Sequence, residues 1–118
     1  MNVLVCGGRA YDSFENVTFA LGQCPVKISM IVQGGARGAD ALAKRWATDH
    51  QIHYAEVPAL WDTFGKSAGF RRNNAMLRLN IGYCVAFPGG RGTTSMIELC
   101  KKAGVPVWLP YGLGEGVV

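Results

Sequence analysis

The sequence predicts an α/β fold: one Rossmann-like domain over residues 1–118, three layers deep, with about five parallel strands. Three observations predict it. Apolar runs of strand length alternate with helical segments of about ten residues, a pattern that requires right-handed crossovers and a parallel sheet. The first run, Asn2 to Cys6, is nearly continuous in apolar residues, as a strand covered by helices on both faces should be. Glycine-rich turns follow the first, second and fourth runs, so all three lie on the rim beyond the strands' carboxyl ends, where such sheets take ligands.

The elements follow in order. Strand one covers residues 2–6 and runs into Gly7-Gly8-Arg9. Asp12 with Glu15 three residues later reads as a capping box for a helix over about 13–22, and Pro25 punctuates the loop behind it. Strand two spans Ile28 to Val32 and leads into Gly34-Gly35-Ala-Arg37-Gly38-Ala-Asp40. The next helix places Ala39, Leu42, Ala43, Trp46, Ala47 and His50 on one stripe at i, i+3, i+4, i+7 spacing, with His50 as a helix-end residue. His53 to Val57 is shorter and more polar, which suits an edge strand. Pro58 opens a long loop through Gly69, and a helix over about 70–79 begins with Arg71, Arg72, Asn73 and Asn74. Strand four spans Gly82 to Phe87. The helix behind it buries Met96, Leu99, Cys100 and Ala103, and Val105 to Leu109 is strand five. Residues 111–118 carry no packing pattern and are expected to fray.

Composition narrows the function classes. At 118 residues, with 49% hydrophobic and 17% charged, the chain can bury one core and is not a disordered segment. No apolar run approaches the ~20 residues that span a bilayer, and the opening lacks the basic region of a signal peptide. A cytoplasmic protein with no membrane partner is therefore expected. Cys6, Cys24, Cys84 and Cys100 show no CxxC pair and no metal-type His spacing, so reduced thiols are expected, with no metal and no cofactor.

The net charge of +4 is unevenly placed. Arg9, Arg37, Lys66, Arg71, Arg72 and Arg91 fall in or beside glycine-bearing loops, whereas Lys44, Arg45, Lys101 and Lys102 read as solvated helix faces. Clustered charge suits a small polyanion better than a duplex, which would want a continuous basic stripe. The focus is Val85-Ala-Phe-Pro88-Gly89-Gly90-Arg91-Gly92-Thr93-Thr94-Ser-Met-Ile-Glu98. It reads as a buried strand end, a turn that leaves backbone amides uncovered, and a helix start that adds partial positive charge. Amides, a guanidinium and two hydroxyls together suit an anion such as phosphate.

The commoner nucleotide folds are excluded. Gly7-Gly8-Arg9-Ala10-Tyr11 is not GxGxxG, and strand two ends in Gln33 rather than the acid that binds a ribose in dinucleotide folds. Gly65-Lys66-Ser67 resembles the end of a P-loop, but Leu60 stands where the first glycine belongs. No GxSxG elbow occurs.

Four ordered motifs, at Gly7–Tyr11, Gly34–Asp40, Gly65–Asn73 and Pro88–Thr93, closely resemble the YspA-like branch of the SLOG superfamily, over residues 2–109 or so. The resemblance implies a Rossmann-like fold and a nucleotide-like ligand. Its relatives include the Lonely-guy phosphoribohydrolases, single-stranded-DNA-binding processing proteins, and sensors of ADP-ribose-type signals. The phosphoribohydrolases share the turn PGGxGTxxE, whose glutamate acts in N-glycosidic cleavage; Met96 holds that position here, while Arg72 matches their arginine. Glu98 lies two residues on, about 200° around the helix, and does not stand in for it. Candidate acids are then Asp40, Asp62 and Glu98, with Arg72 as a candidate catalytic partner.

Three functions follow. The first is binding of a phosphorylated nucleotide or nucleotide-derived signal, of ADP-ribose or cyclic-nucleotide type, by a sensor or sequestering module. Gly7, Gly8, Arg9, Gly34, Gly35, Arg37, Gly38, Lys66, Arg72, Asn73 and the Pro88–Thr94 turn would hold it, with Asp40 on a ribose hydroxyl and Trp61 or Phe64 over a base. The second is N-glycosidic hydrolysis of nucleoside monophosphates. The third, binding of single-stranded nucleic acid, is the least favoured because aromatics near the basic cluster are few. The resemblance also implies a homodimer or larger assembly, for which Phe70, Met76 and Leu77 are candidate contacts.

Overall fold

The computed structural model describes residues 1–112. It is built on one five-stranded parallel sheet, β1 (Asn2–Cys6), β2 (Met30–Gln33), β3 (His53–Glu56), β4 (Ile81–Ala86) and β5 (Val107–Trp108), in the order β3-β2-β1-β4-β5. The chain lays strands to one side of β1 and then returns to start β4 on its other side. The strand order therefore reverses between β1 and β4, which pair over Asn2↔Ile81 to Cys6↔Ala86 with a register shift after Asn2. Their turns part at that point and leave a crevice above the carboxyl ends. Val3, Leu4, Val5, Val85 and Ala86 have no exposed surface, as expected of strands sandwiched on both faces.

Helices α1 (Phe14–Gly22) and α2 (Ala39–Asp49) cover one face, with Val17, Ala20, Leu21, Ala43, Trp46 and Ala47 packed on Val3, Val5 and Ile31. On the other face, α4 (Ala68–Leu77) and α5 (Arg91–Lys102) bring Met76, Met96, Ile97 and Cys100 onto Leu4, Cys6, Val32 and Cys84. The alternation of the sheet thus sends odd residues of β1 to one core and even ones to the other. His50 ends α2 as expected: its Nδ1 lies 2.8 Å from the Trp46 carbonyl oxygen, and its ring stacks on Trp46 at 4.5 Å. The four thiols are unpaired.

Several expectations are corrected. The cap of α1 is Ser13, whose Oγ accepts from the Asn16 N–H at 3.2 Å, so the Asp12–Glu15 box does not form. Strand β2 starts two residues later than Ile28 and includes Gln33, whose side chain is buried because its amide donates to Glu56 at 2.9 Å. The expected loop up to Gly69 is helical: a single turn, α3 (Trp61–Phe64), then a 3₁₀ turn, Gly65–Ser67, then α4, which begins at Ala68 rather than Phe70. On α5 Ile97 is buried and Ala103 is exposed, since the helix has ended by Ala103. Strand β5 shrinks to two residues. Of the segment expected to fray, Tyr111 is held: its hydroxyl donates to the Asn16 carbonyl at 3.1 Å and its ring lies 6.2 Å from Phe87. Residues 113–118 of that segment lie outside the described residues. Among the described residues, no helix is long and apolar enough to cross a membrane.

Candidate functional site

The first glycine turn leaves β1 with no room for side chains. A Cβ on Gly7 would come within 2.6 Å of the Ala39 Cβ and 2.9 Å of the Phe87 Cβ. The Gly8 N–H donates to the Pro88 carbonyl at 2.9 Å, which ties the turn after β1 to the turn after β4. The Gly8 carbonyl in turn accepts from the Ala39 N–H at 3.1 Å. Gly38, at φ +77°, permits that approach, because a Cβ there would overlap the Gly8 oxygen. The three glycine turns are therefore one construction, and the second turn serves as a buttress for the first.

Between them opens a cavity of about 1070 Å³, just above the ~300–1,000 Å³ range of small-molecule sites. Its floor includes Val5, Cys6, Met76 and Met96. One wall is Gly7 to Tyr11; another is Pro88, Gly89, Gly90, Gly92, Thr93 and Ser95; a third is Trp61, Gly69, Phe70, Arg72 and Asn73. No side chain caps α5, and the amides of Gly90, Arg91, Gly92 and Thr93 donate to no protein acceptor among the described residues. The first intrahelical bond runs from the Thr94 N–H to Gly90 at 3.1 Å. A 12-residue helix thus begins at the cavity with unused donors and the positive end of its dipole.

Three polar side chains of this cavity are more than nine-tenths buried: Asp40, Asn73 and Thr93. Asp40 accepts from the Gly34 and Ala36 N–H groups, each at 3.2 Å, both through Oδ2. Its Oδ1 has no partner among the described residues. The Asn73 Oδ1 accepts from the Arg72 Nε at 2.9 Å, and its amide nitrogen has no partner among the described residues. The Thr93 hydroxyl makes no bond among the described residues either. These three groups bring free bonding capacity to one hollow and could serve a ligand there; the fully buried unpaired side-chain atoms among the described residues are Thr18 Oγ1 and Trp46 Nε1, outside the cavity lining. The Arg72 Nη1 donates to the Gly34 carbonyl at 2.6 Å, where only a glycine leaves space for the guanidinium.

Burial sets the electrostatics. It raises the Asp40 pKa above the ordinary carboxylate value, against the opposing effects of the Ala36 amide, the Arg72 charge, the Gly34 amide and the Arg9 charge. Burial also lowers the Arg72 pKa; Asp40 opposes this and the like charge of Arg9 adds to it. Two guanidinium groups therefore share the hollow with one carboxyl group, and a bound anion would relieve that imbalance.

The family model of the YspA, cpYpsA-related SLOG family matches residues 1–64. A relative described as Gene 61 protein, from Mycobacterium phage D29, is 39% identical over 116 residues, which cover 89% of this chain and 92% of that protein. The chain belongs to the YspA, cpYpsA-related SLOG family. Membership fits a nucleotide-related function in general. No solved structure matches this SLOG chain.

The expected site residues of the SLOG chain divide into groups. Gly7, Gly8, Arg9, Asp40, Arg72, Asn73, Pro88, Gly89, Gly90, Gly92 and Thr93 line the cavity. Gly34 and Gly38 pack behind the lining, against Arg72 and Gly8, and Gly35 packs against Glu56, outside it. Arg37, Lys66 and Arg91 are exposed and stand outside the lining, so of the four arginines expected to hold phosphate, Arg9, Arg37, Arg72 and Arg91, the cavity is lined by Arg9 and Arg72. In the second turn the Ala39 N–H is committed to Gly8 and the Gly34 and Ala36 N–H groups to Asp40. Thr94 turns its hydroxyl back to the Gly90 carbonyl at 3.2 Å. Asp62 and Glu98 are exposed and do not line the cavity. Met96, at the position of the phosphoribohydrolase glutamate, does line it and is 1% exposed. Met76 is core rather than a contact surface, at 2% exposed. Ser95 and Tyr11 line the cavity unforeseen. Helical spacing held the signal for Ser95, since Gly92, Ser95 and Met96 fall at i, i+3 and i+4.

Proposed function

We propose that this chain is one domain that binds a phosphorylated nucleotide or nucleotide-derived signal, of ADP-ribose or cyclic-nucleotide type, and acts as a sensor or a sequestering module. One observation carries this: a single cavity at the strand-order reversal joins the uncapped start of α5, Arg9, Arg72 and three buried polar groups with spare bonding capacity. A phosphoryl group sits against the amides of Gly90 to Thr93 with Arg9 or Arg72 closing on it. The Asp40 Oδ1 accepts from a ribose hydroxyl, and the Asn73 amide donates to a ligand oxygen. The phage origin of the similar protein suits sequestration of a host signal. The protein acts in the cytoplasm as a homodimer or larger assembly; exposed Phe70, beside the site, is the contact that light scattering of Phe70→Glu examines. Calorimetric titration with ADP-ribose derivatives and cyclic nucleotides tests the binding, and heat from none of them would refute it.

Asp40 favours a second function, N-glycosidic hydrolysis of a nucleoside monophosphate. A cavity-lining carboxyl with a raised pKa is suited to protonate a leaving base, and Arg72 is beside it. Met96 opposes this function, because it fills with a thioether the position of the phosphoribohydrolase acid. Chromatography of AMP incubated with the protein decides: free adenine, lost in Asp40→Asn, would establish the enzyme.

A further inference from the structure

Trp61 is the largest apolar side chain in the cavity, and among the described residues it is left 48% exposed. It belongs to neither core cluster and lines the cavity beside Phe70, which is 59% exposed. By contrast, Trp46 is 4% exposed in a core. The one-turn helix α3 presents the Trp61 indole. Gly69, at the second position of α4, lets it lie flat: a Cβ there would stand 3.3 Å from the indole Cη2. The Arg9 guanidinium carbon lies over the same ring, 5.9 Å from its centroid.

That separation is the useful quantity. An aromatic ring held between two flat groups needs about 3.5 Å on each side, roughly 7 Å in all. Arg9 is exposed on a turn, and a side-chain movement of about 1 Å would open the slot fully. Nucleobases stack on both indole faces and guanidinium planes. We infer that Trp61 and Arg9 form a base-stacking slot, so that the ligand carries an aromatic base in addition to its phosphoryl group. The slot rests on the nucleotide-binding function proposed above and adds which side chains take the base, so that a nucleotide is preferred over a sugar phosphate.

The test compares AMP with ribose 5-phosphate by calorimetry, on the full chain, with tryptophan emission followed in parallel. AMP is expected to bind about fivefold to a hundredfold more tightly, the range that base stacking supplies. It should quench emission in the wild type and not in Trp61→Leu. Trp61→Leu should bind both compounds equally, at the wild-type affinity for ribose 5-phosphate, while Trp61→Phe keeps part of the preference. Equal binding of the two compounds by the wild type would overturn the slot and leave the phosphate site standing. An unchanged preference in Trp61→Leu would overturn it too, and if that variant also lost self-association, Trp61 would be a contact between copies. Binding of neither compound would remove the phosphate site and the slot together.

Discussion

Gly89 and Gly92 both line the cavity, yet the fold needs only one of them, and this difference supplies a sharp test. A Cβ at Gly89 would lie 2.7 Å from the Gly8 nitrogen, inside the Gly8–Pro88 bond, and would strike Thr93 as well. Neither neighbour is the loose end of a flexible chain, so Gly89→Ala should cost about 1–3 kcal/mol through overpacking. At this chain length that lowers Tm by roughly 4–15 °C. A Cβ at Gly92 would meet nothing within 4 Å. Gly92 is the second residue of α5, where alanine should stabilise the helix by about 0.5–1 kcal/mol and raise Tm by roughly 2–6 °C. The added methyl would nevertheless stand where the α5 amides meet the anion. Loss of one bond to a charged group, about 1.5–3 kcal/mol, weakens AMP binding by roughly 10–150-fold. Thermal denaturation by circular dichroism and calorimetric titration with AMP measure the two effects separately. A Gly92→Ala protein that is more stable and binds AMP as the wild type does would refute the anion site at α5.

Other outcomes follow from single contacts. Arg72→Ala removes a charged donor from the buried Gly34 carbonyl and should destabilise by about 1–3 kcal/mol in urea titrations, with AMP binding lost as well. Asp40 holds its proton to a higher pH when folded than when unfolded. Its contribution to stability is therefore complete below about pH 3.8 and is lost as pH rises through the folded value. Urea unfolding from pH 3 to 7 should show that decline in the wild type and not in Asp40→Asn; parallel curves would count against it. Ser13→Ala should cost about 1 kcal/mol by removing the bond to the Asn16 amide, whereas Asp12→Ala should change little.

The parts of this architecture legible in the sequence are those fixed by local rules. Asn2–Cys6 and Ile81–Ala86 are apolar runs ending in glycine turns, and their lengths and order specify a parallel sheet with its ligand rim. The start of α5 was legible in part: the glycines at 89, 90 and 92 announce bare amides, whereas Thr93 and Thr94, expected at the cap, lie inside the first turn behind Gly90. The helical turn at Trp61 was not, since Gly65 and Gly69 in the same stretch read as loop; Gly65, at φ +58°, ends one turn before the next begins. Long-range partners were hidden for a different reason. Arg72 reaches a carbonyl 38 residues away, and Gly38 meets Gly8 only after β1 and β2 have paired. The direction of an arginine on a loop is likewise set by what its turn packs on, so spacing alone grouped Arg37 and Arg91 with Arg9.

The bond between Gly8 and Pro88 has a consequence for synthesis on the ribosome. The two lips of the cavity are made 80 residues apart, and β1, the central strand, waits for β4 before its second edge is covered. A nascent chain that has emerged only as far as β3 holds Gly7, Gly8 and Arg9 beside an open strand edge and has no counterpart for them. Closure must therefore follow release of most of the polypeptide, in a step dominated by distant pairings and correspondingly slow.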